Sequence, residues 1–593
     1  MAVLFSLGLA LILFFIASKF YAGYIAKNLG EDPSNPTPAS KKNDGRDFVP
    51  TKRYVVFAHH FSAIAGAGPI IGPTMAILYG VVPAWLWIVF GGIFFGAVHD
   101  FTALFISIRE QGKSIAEVAR KTLGQAGFNL FISFTIFMLV LVTSSFLSAT
   151  AISLTSLWPL NKLGLSEGET ILHTVVKNGI TYGRIGGIAS TSVIIITLTS
   201  PLLGWLIFKK GIKTISSYII AFFICVISIL LGIWAPVSLS PTIWMIIISI
   251  YVLIAAGAPV WFILQPRDFI NVQILYGGIV LMVVSLLSIG FSGRAIMSMP
   301  NFNLTEGVKS LGFIWPMMFI TIACGAISGF HSLVAGGTTS KQISKEIDAR
   351  KIGFNAMLLE SVLAICVVLA IALGLSFRDY KSIVWPSDPS IKSNPILGFS
   401  LAAGHLFNNG LGIPVSLGTV FGILLVEGFV ITTLDAAIRL NRYLLEELWA
   451  IIFKNVPKIL RYYWINAGIS VLLMWILAYS NAFSVLWPIF GSANQLLAAL
   501  GLLAASSWLL IKGKKYFFAL LPAIFMIITT IASLIILIQS YIKTNNYVLM
   551  VIDIMLLILS LGVIILVIKT FLQPRQKKFN HNYEKTSEPV TTN

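Results

Sequence analysis

Apolar residues run in long unbroken stretches along this chain, and polar positions gather in short clusters between them. Runs bounded by charges and turn residues predict fifteen membrane spans, near 3–23, 58–79, 82–105, 127–152, 188–207, 215–233, 241–264, 273–291, 315–336, 354–377, 415–435, 462–482, 485–508, 516–541 and 548–570. A helix needs ~20 apolar residues to cross a hydrocarbon core of ~30 Å. The runs are continuous rather than alternating, which excludes a transmembrane β-barrel. Residues 396–412, "ILGFSLAAGHLFNNGLG", are too short and glycine-rich for a full span and are expected as a re-entrant or surface helix. The first run lacks a basic start, and Lys19 follows it, so it reads as a retained helix rather than a signal peptide. The polar stretch from Gln573 onward reads as a disordered cytoplasmic tail.

Composition agrees with an all-α polytopic membrane protein. Of 593 residues 57% are hydrophobic and only 11% charged, against about 25% charged in soluble domains. A formal charge of +18 would suggest nucleic acid in a soluble protein. Here the basic residues sit in short loops, where they set topology instead, and no nucleic-acid partner is expected. With the N-terminus outside, 32 of the 41 Lys and Arg fall on the inner side. That places the C-terminus of this multi-pass chain in the cytoplasm, with the bilayer as its surroundings. Cys225, Cys324 and Cys366 have no ligand spacing, so neither a disulfide nor a metal framework is expected.

Within this pattern one motif recurs. "IAGAGP" at Ile64–Pro69 matches "IAAGAP" at Ile254–Pro259, each is followed by a second proline (Pro73 and Pro266), and the two spans run in opposite directions with four spans between them. Two inverted five-helix repeats are therefore expected, at 57–233 and 241–443. An extra helix and cytoplasmic loop would precede them at 1–56, and four additional spans would follow at 462–571, ahead of the tail at 572–593. Gly and Pro let the backbone unwind, and unwound backbone in lipid is tolerated only where it lines a cavity or is buried in protein. Matching broken helices in two halves point to a substrate site near the midplane. The candidate substrate-binding residues are Ile64, Ala65, Gly66, Ala67, Gly68, Ala256, Gly257 and Ala258. "GGIFFG" at Gly91–Gly96 reads as helix packing, and Asn494 and Gln495 read as scaffold contacts.

Ionisable residues inside spans are functional candidates. His59 and His60 begin the first broken helix, and His99 and Asp100 end the next span on the same side. A tight outer turn, "GVVPAW", makes these helices antiparallel neighbours, so three imidazoles and a carboxylate come within reach of one another. Histidine titrates near pH 6.5, and His59, His60, His99, Asp100 and the deeply placed Glu427 are the proton-coupling candidates. His331, Glu360 and Asp435 also fall in or near spans. Ser332, Thr338 and Thr339 form an ion-binding candidate, able to hold Na⁺ together with unwound carbonyls, or simply bonding their own helix.

Six strings resemble the carbon starvation protein A family: "FAHHFSAIAGAGPIIGP", "GAVHDF", "QPRDFIN" (Gln265–Asn271), "GFHSLVAGGTTSKQ" (Gly329–Gln342), "TTLDAAIRLNRY" (Thr432–Tyr443) and "WPIFGSANQLLAAL" (Trp487–Leu500). They lie in order over most of the chain. The resemblance implies an inverted-repeat core of the leucine-transporter type and uptake of peptides or pyruvate, generally driven by the proton gradient, under nutrient limitation. Two departures bear on substrate. "VAGG" before Thr338 is smaller than the family's serine-containing form, and "DAAIR" (Asp435–Arg439) lacks the threonines expected after the aspartate.

The expectation is thus a secondary transporter, not an enzyme, importing a small carboxylate or short peptide with H⁺ and no cofactor. The phosphate-binding pattern GxxxxGK[ST] is absent, so the driving force is an ion gradient or a partner ATPase. A sodium-coupled carrier of the same fold is the nearest rival. A metal- or haem-binding membrane protein using the intramembrane histidines is the other, and a ligand sensor without transport is a further one.

Overall fold

The computed structural model describes residues 2–44, 48–163, 165, 172–259, 261–388, 391–481 and 483–572. The expected C-terminal tail lies outside the described residues. Within them, twelve helices are long and apolar enough to cross a membrane, and a thirteenth span is the pair Arg53–Ile64 and Gly68–Tyr79, bent by 43°. The two remaining expected spans also differ from simple helices. The stretch 241–264 is a 17-residue helix, Pro241–Gly257. The stretch 315–336 is two eight-residue helices, Ile314–Thr321 and Phe330–Gly337, with non-helical backbone between them.

Burial sorts the helices into centre and rim. The apolar windows of Arg350–Gly374 and Phe483–Ile511 are each 89% buried by protein, whereas those of Val3–Leu29, Ile215–Trp234 and Tyr547–Leu572 are only 28% buried. Side chains such as Phe5, Phe15, Leu230 and Ile558 are left facing outward, as a lipid-facing surface requires. Two helices are far longer than a bilayer needs, Ile115–Ser153 with 39 residues and Val415–Ile452 with 38. The first of these is kinked at Gly124, which has φ +80°. Residues 396–412 form a helix, Pro395–Leu411, packed on Val415–Ile452, Arg350–Gly374 and Leu264–Phe291. Most of it is buried, so it is not a surface helix.

The expected tight turn after the first broken span is present. Gly80 makes it with φ +113°, and an added Cβ would lie 2.4 Å from the Asn301 carbonyl oxygen, so only glycine fits. A small sheet was not expected. Strands Trp158–Pro159 (β1), Thr174–Lys177 (β2) and Ile180–Gly183 (β3) pair antiparallel in the order β1–β3–β2. Asn178 (φ +50°) and Gly179 (φ +74°) turn the β2–β3 hairpin, the Asn-Gly signature of a two-residue loop.

Candidate functional site

The first interruption is built from sequence-local causes. Helix Arg53–Ile64 ends where Ala65 leaves helical geometry (ψ +47°). Helix Gly68–Ala76 starts three residues later with proline in its first turn, where a missing N–H costs nothing. The second interruption holds no proline. Its backbone groups are instead satisfied by side chains from other helices. Trp87 Nε1 (3.4 Å) and Gln495 Nε2 (3.2 Å) donate to the Ile322 carbonyl, Trp487 Nε1 to that of Thr321 (3.3 Å), and Ser361 Oγ to that of Gly325 (3.0 Å). Asn494 Oδ1 accepts from the Phe330 N–H (3.0 Å), and the Asn494 carbonyl accepts from the Gly329 N–H (3.0 Å). Asn494 and Gln495 are therefore not general scaffold contacts. They hold the second interruption open, at the centre of the molecule. Asn494→Leu leaves the Phe330 N–H and the Ser328 hydroxyl without this partner, and each buried orphan costs about 1–3 kcal/mol. A clear drop in melting temperature is expected.

The two interruptions meet. A Cβ on Gly68 would stand 2.3 Å from Cys324 Sγ, and one on Gly72 would stand 2.7 Å from the Thr321 carbonyl oxygen. Spaced four apart, these glycines share one helix face and let the spans cross at backbone contact. The glycines of "GGIFFG" serve the packing role expected of them: Gly92 faces Ser361, and Gly96 faces the Ala326 carbonyl. Between the interruptions lies a small cavity lined by Ile64, Gly66, Gly68, Phe146, Cys324 and Thr433, among others. It is narrow enough to admit about one water, so the site is closed. Of the expected substrate residues, Ile64, Gly66 and Gly68 line it, and Ala65 and Ala67 are buried beside them. Gly68→Ala is expected to cost about 1–3 kcal/mol by overpacking against Cys324 and to fill part of the cavity. A melting curve together with substrate uptake checks both effects.

Ala256, Gly257 and Ala258 are placed elsewhere. The "IAAGAP" segment is the end of helix Pro241–Gly257 rather than a mid-span break. Arg439 Nη2 donates to the Ala255 (2.7 Å) and Ala258 (2.6 Å) carbonyls and so caps that end, while Gly257 packs on Tyr463. A proline just past a helix terminus is an ordinary stop signal. The partner of the first interruption is residues 322–329.

The ionisable groups are also regrouped. Asp100 accepts from His99 Nδ1 at 2.8 Å and from His331 Nδ1 at 2.7 Å, with all three side chains buried. His60 turns away from that carboxylate, its Nδ1 lying 2.8 Å from Thr339 Oγ1. His59 Nδ1 lies 3.5 Å from Asp268 Oδ2 on the helix Leu264–Phe291. The four groups expected together are thus split among three contacts, and His331 from the second broken span takes the place foreseen for His59 and His60. Ser332 and Thr338 donate to the Gly329 (2.7 Å) and Val334 (3.0 Å) carbonyls of their own turn. Glu427 is fully buried, and neither oxygen has a hydrogen-bond partner among the described residues. A network not foreseen from the sequence links three spans: Arg267 Nη1 donates to Asp435 Oδ2 (2.7 Å) and to the Tyr251 hydroxyl (2.8 Å), which itself donates to Asp435 (2.5 Å).

Fold and site together define a polytopic helical membrane protein organised around two interrupted spans and a closed cavity between them. The chain belongs to the carbon starvation protein CstA family, whose model matches residues 2–389 and 375–533. It is 30% identical over 577 residues to the peptide transporter CstA of Campylobacter jejuni, covering 88% of this chain and 78% of that one. It is 29% identical over 598 residues to the pyruvate/proton symporter BtsT of Escherichia coli, covering 87% and 79%. Among solved structures, a mutant of the Eremococcus coleocola manganese transporter aligns with TM-score 0.48 and 12% identity over 89% of this chain and 98% of that one. MhsT in complex with L-phenylalanine aligns with TM-score 0.35 and 11% identity, covering 87% and 99%.

Proposed function

We propose that this protein is a proton-driven secondary transporter of the inner membrane, importing a small carboxylate such as pyruvate or a short peptide during nutrient limitation. The closed cavity at the meeting of two broken spans carries the reading. Helix Gly68–Ala76 begins at that cavity, so the positive end of its dipole faces the substrate space. Half-helix N-termini of this kind suit a carboxylate, a group that pyruvate and a peptide C-terminus share. The relatives named as a peptide transporter and a pyruvate/proton symporter support both substrate classes.

The repeat is better placed from the two observed interruptions. Each is followed by a membrane-crossing helix and later by a very long one: Val81–Arg109 and Ile115–Ser153 in the first half, Arg350–Gly374 and Val415–Ile452 in the second, where Phe377–Val384 and Pro395–Leu411 come between the two. By the count of basic loops the two broken spans run in opposite directions, which supports an inverted five-plus-five core whose second half opens near 314. In the same orientation, with the N-terminus outside, Glu427 sits on the outer side of the cavity and the histidines on the inner side. Glu427 then serves as the entry carboxyl for the coupling proton. No cofactor is required.

The reading is tested with a trapped pH dye in proteoliposomes. External pyruvate or a dipeptide is expected to acidify the lumen only when the protein is present. Substrate entry without acidification, and dependent on Na⁺, would replace the proton with sodium.

A further inference from the structure

The second interruption brings together three donors that are far apart in sequence. Cys324 Sγ, a ring nitrogen of His331 and a carboxylate oxygen of Glu360 all lie within 4.8 Å of one another, and all three residues are buried. Cys324 belongs to the interruption itself, His331 to the first turn of the half-helix after it, and Glu360 to the neighbouring helix Asn355–Gly374. Spacing alone hides this set, because no two of the residues follow a ligand motif. That is why no metal framework was expected.

Two of the three donors, His331 and Glu360, are left wanting. His331 Nδ1 is bound to Asp100 at 2.7 Å, which leaves Nε2 facing Glu360 Oε2 at 3.4 Å. Both Glu360 oxygens and His331 Nε2 are buried without a hydrogen-bond partner among the described residues. A buried carboxylate in that state is costly unless something compensates it. Asn494 Nδ2 lies 3.7 Å from Cys324 Sγ and donates to it. A carboxylate on the far nitrogen of a histidine is the usual outer support of a metal ligand, and Asp100 fills that place.

We propose that Cys324, His331 and Glu360 bind one divalent cation of the zinc class, with Asp100 and Asn494 as outer partners. Sulfur, imidazole and carboxylate together suit zinc-like ions, whereas calcium and magnesium take oxygen donors. On binding, the Cys324 thiol releases its proton to solvent. Three protein ligands leave a fourth position open, and the cavity that Cys324 lines can supply a water there. The ion joins the interruption and the half-helix after it to one neighbouring helix and would staple the broken span in place.

The test uses the full chain, purified, stripped with a chelator and titrated with Co²⁺. One Co²⁺ per chain with a thiolate-to-cobalt absorption band is expected, displaced by Zn²⁺. The band should vanish in Cys324→Ser, binding should weaken at least about tenfold in Glu360→Gln, and Cys366→Ser should behave as the unmutated chain. No thiolate band, or one that survives Cys324→Ser, overturns the proposal. Because Cys324 packs on Gly68, X-ray absorption at the zinc edge of the unmutated chain gives a reading free of mutation: one sulfur ligand supports the site, and none overturns it. Neither readout involves transport, so the outcome stands apart from the transport assay.

Discussion

Arg267→Met is expected to destabilise the protein by about 3–5 kcal/mol, the usual cost of removing one partner from a buried ion pair. Arg267 and Asp435 are both buried, at 1% exposure each, and they join the helices Leu264–Phe291 and Val415–Ile452 at 2.7 Å. Removing the guanidinium strands the Asp435 carboxylate in protein, with the Tyr251 hydroxyl as its one remaining hydrogen-bond partner among the described residues. The double variant Arg267→Met/Asp435→Leu removes both charges and should recover much of the loss. Recovery stays incomplete because the Tyr251 hydroxyl loses both partners, at about 1–3 kcal/mol. Thermal unfolding of the two single variants and the double variant measures this. If the double variant melts no higher than Arg267→Met, the two residues do not act as a pair.

The second large effect concerns transport. Glu427→Gln keeps size and shape but can no longer exchange a proton. Substrate accumulation driven by a proton gradient should fall to the level set by the substrate gradient alone. Counterflow, in which labelled substrate exchanges across a membrane without net movement, should persist. Loss of both would make Glu427 a substrate or folding residue rather than the coupling carboxyl, and retention of both would remove it from the mechanism.

The spans were legible because twenty apolar residues in a row are a local signal, and the lipid demands nothing more. The first interruption was legible for the same reason, since Gly66, Gly68, Pro69 and Pro73 lie within one short stretch. The second was not. Residues 322–329 contain no proline, and what holds them open comes from Trp87, Ser361, Trp487, Asn494 and Gln495, on other helices. Residues 254–259 read as a break because a Gly-Ala-Pro string looks alike in mid-span and at a helix end. Only the cap from Arg439, far along the chain, separates the two cases. Asp100 was grouped with His59, His60 and His99, and of these only His99 bonds to it; adjacency of two helices could not say that His331 from a third would reach it. The β2–β3 hairpin was readable from Asn178-Gly179 and was passed over inside a connection between spans.

The most direct test of a proton-driven carrier built around the paired interruptions is accumulation of labelled pyruvate and a labelled dipeptide in proteoliposomes. An inward proton gradient, an inward Na⁺ gradient and no gradient are compared, with Gly68→Leu as the closed-cavity control. Accumulation under the proton gradient only, abolished in a folded Gly68→Leu protein, is the predicted result. Failure of both substrates to accumulate under either gradient, or accumulation unchanged when the cavity is filled, would contradict it.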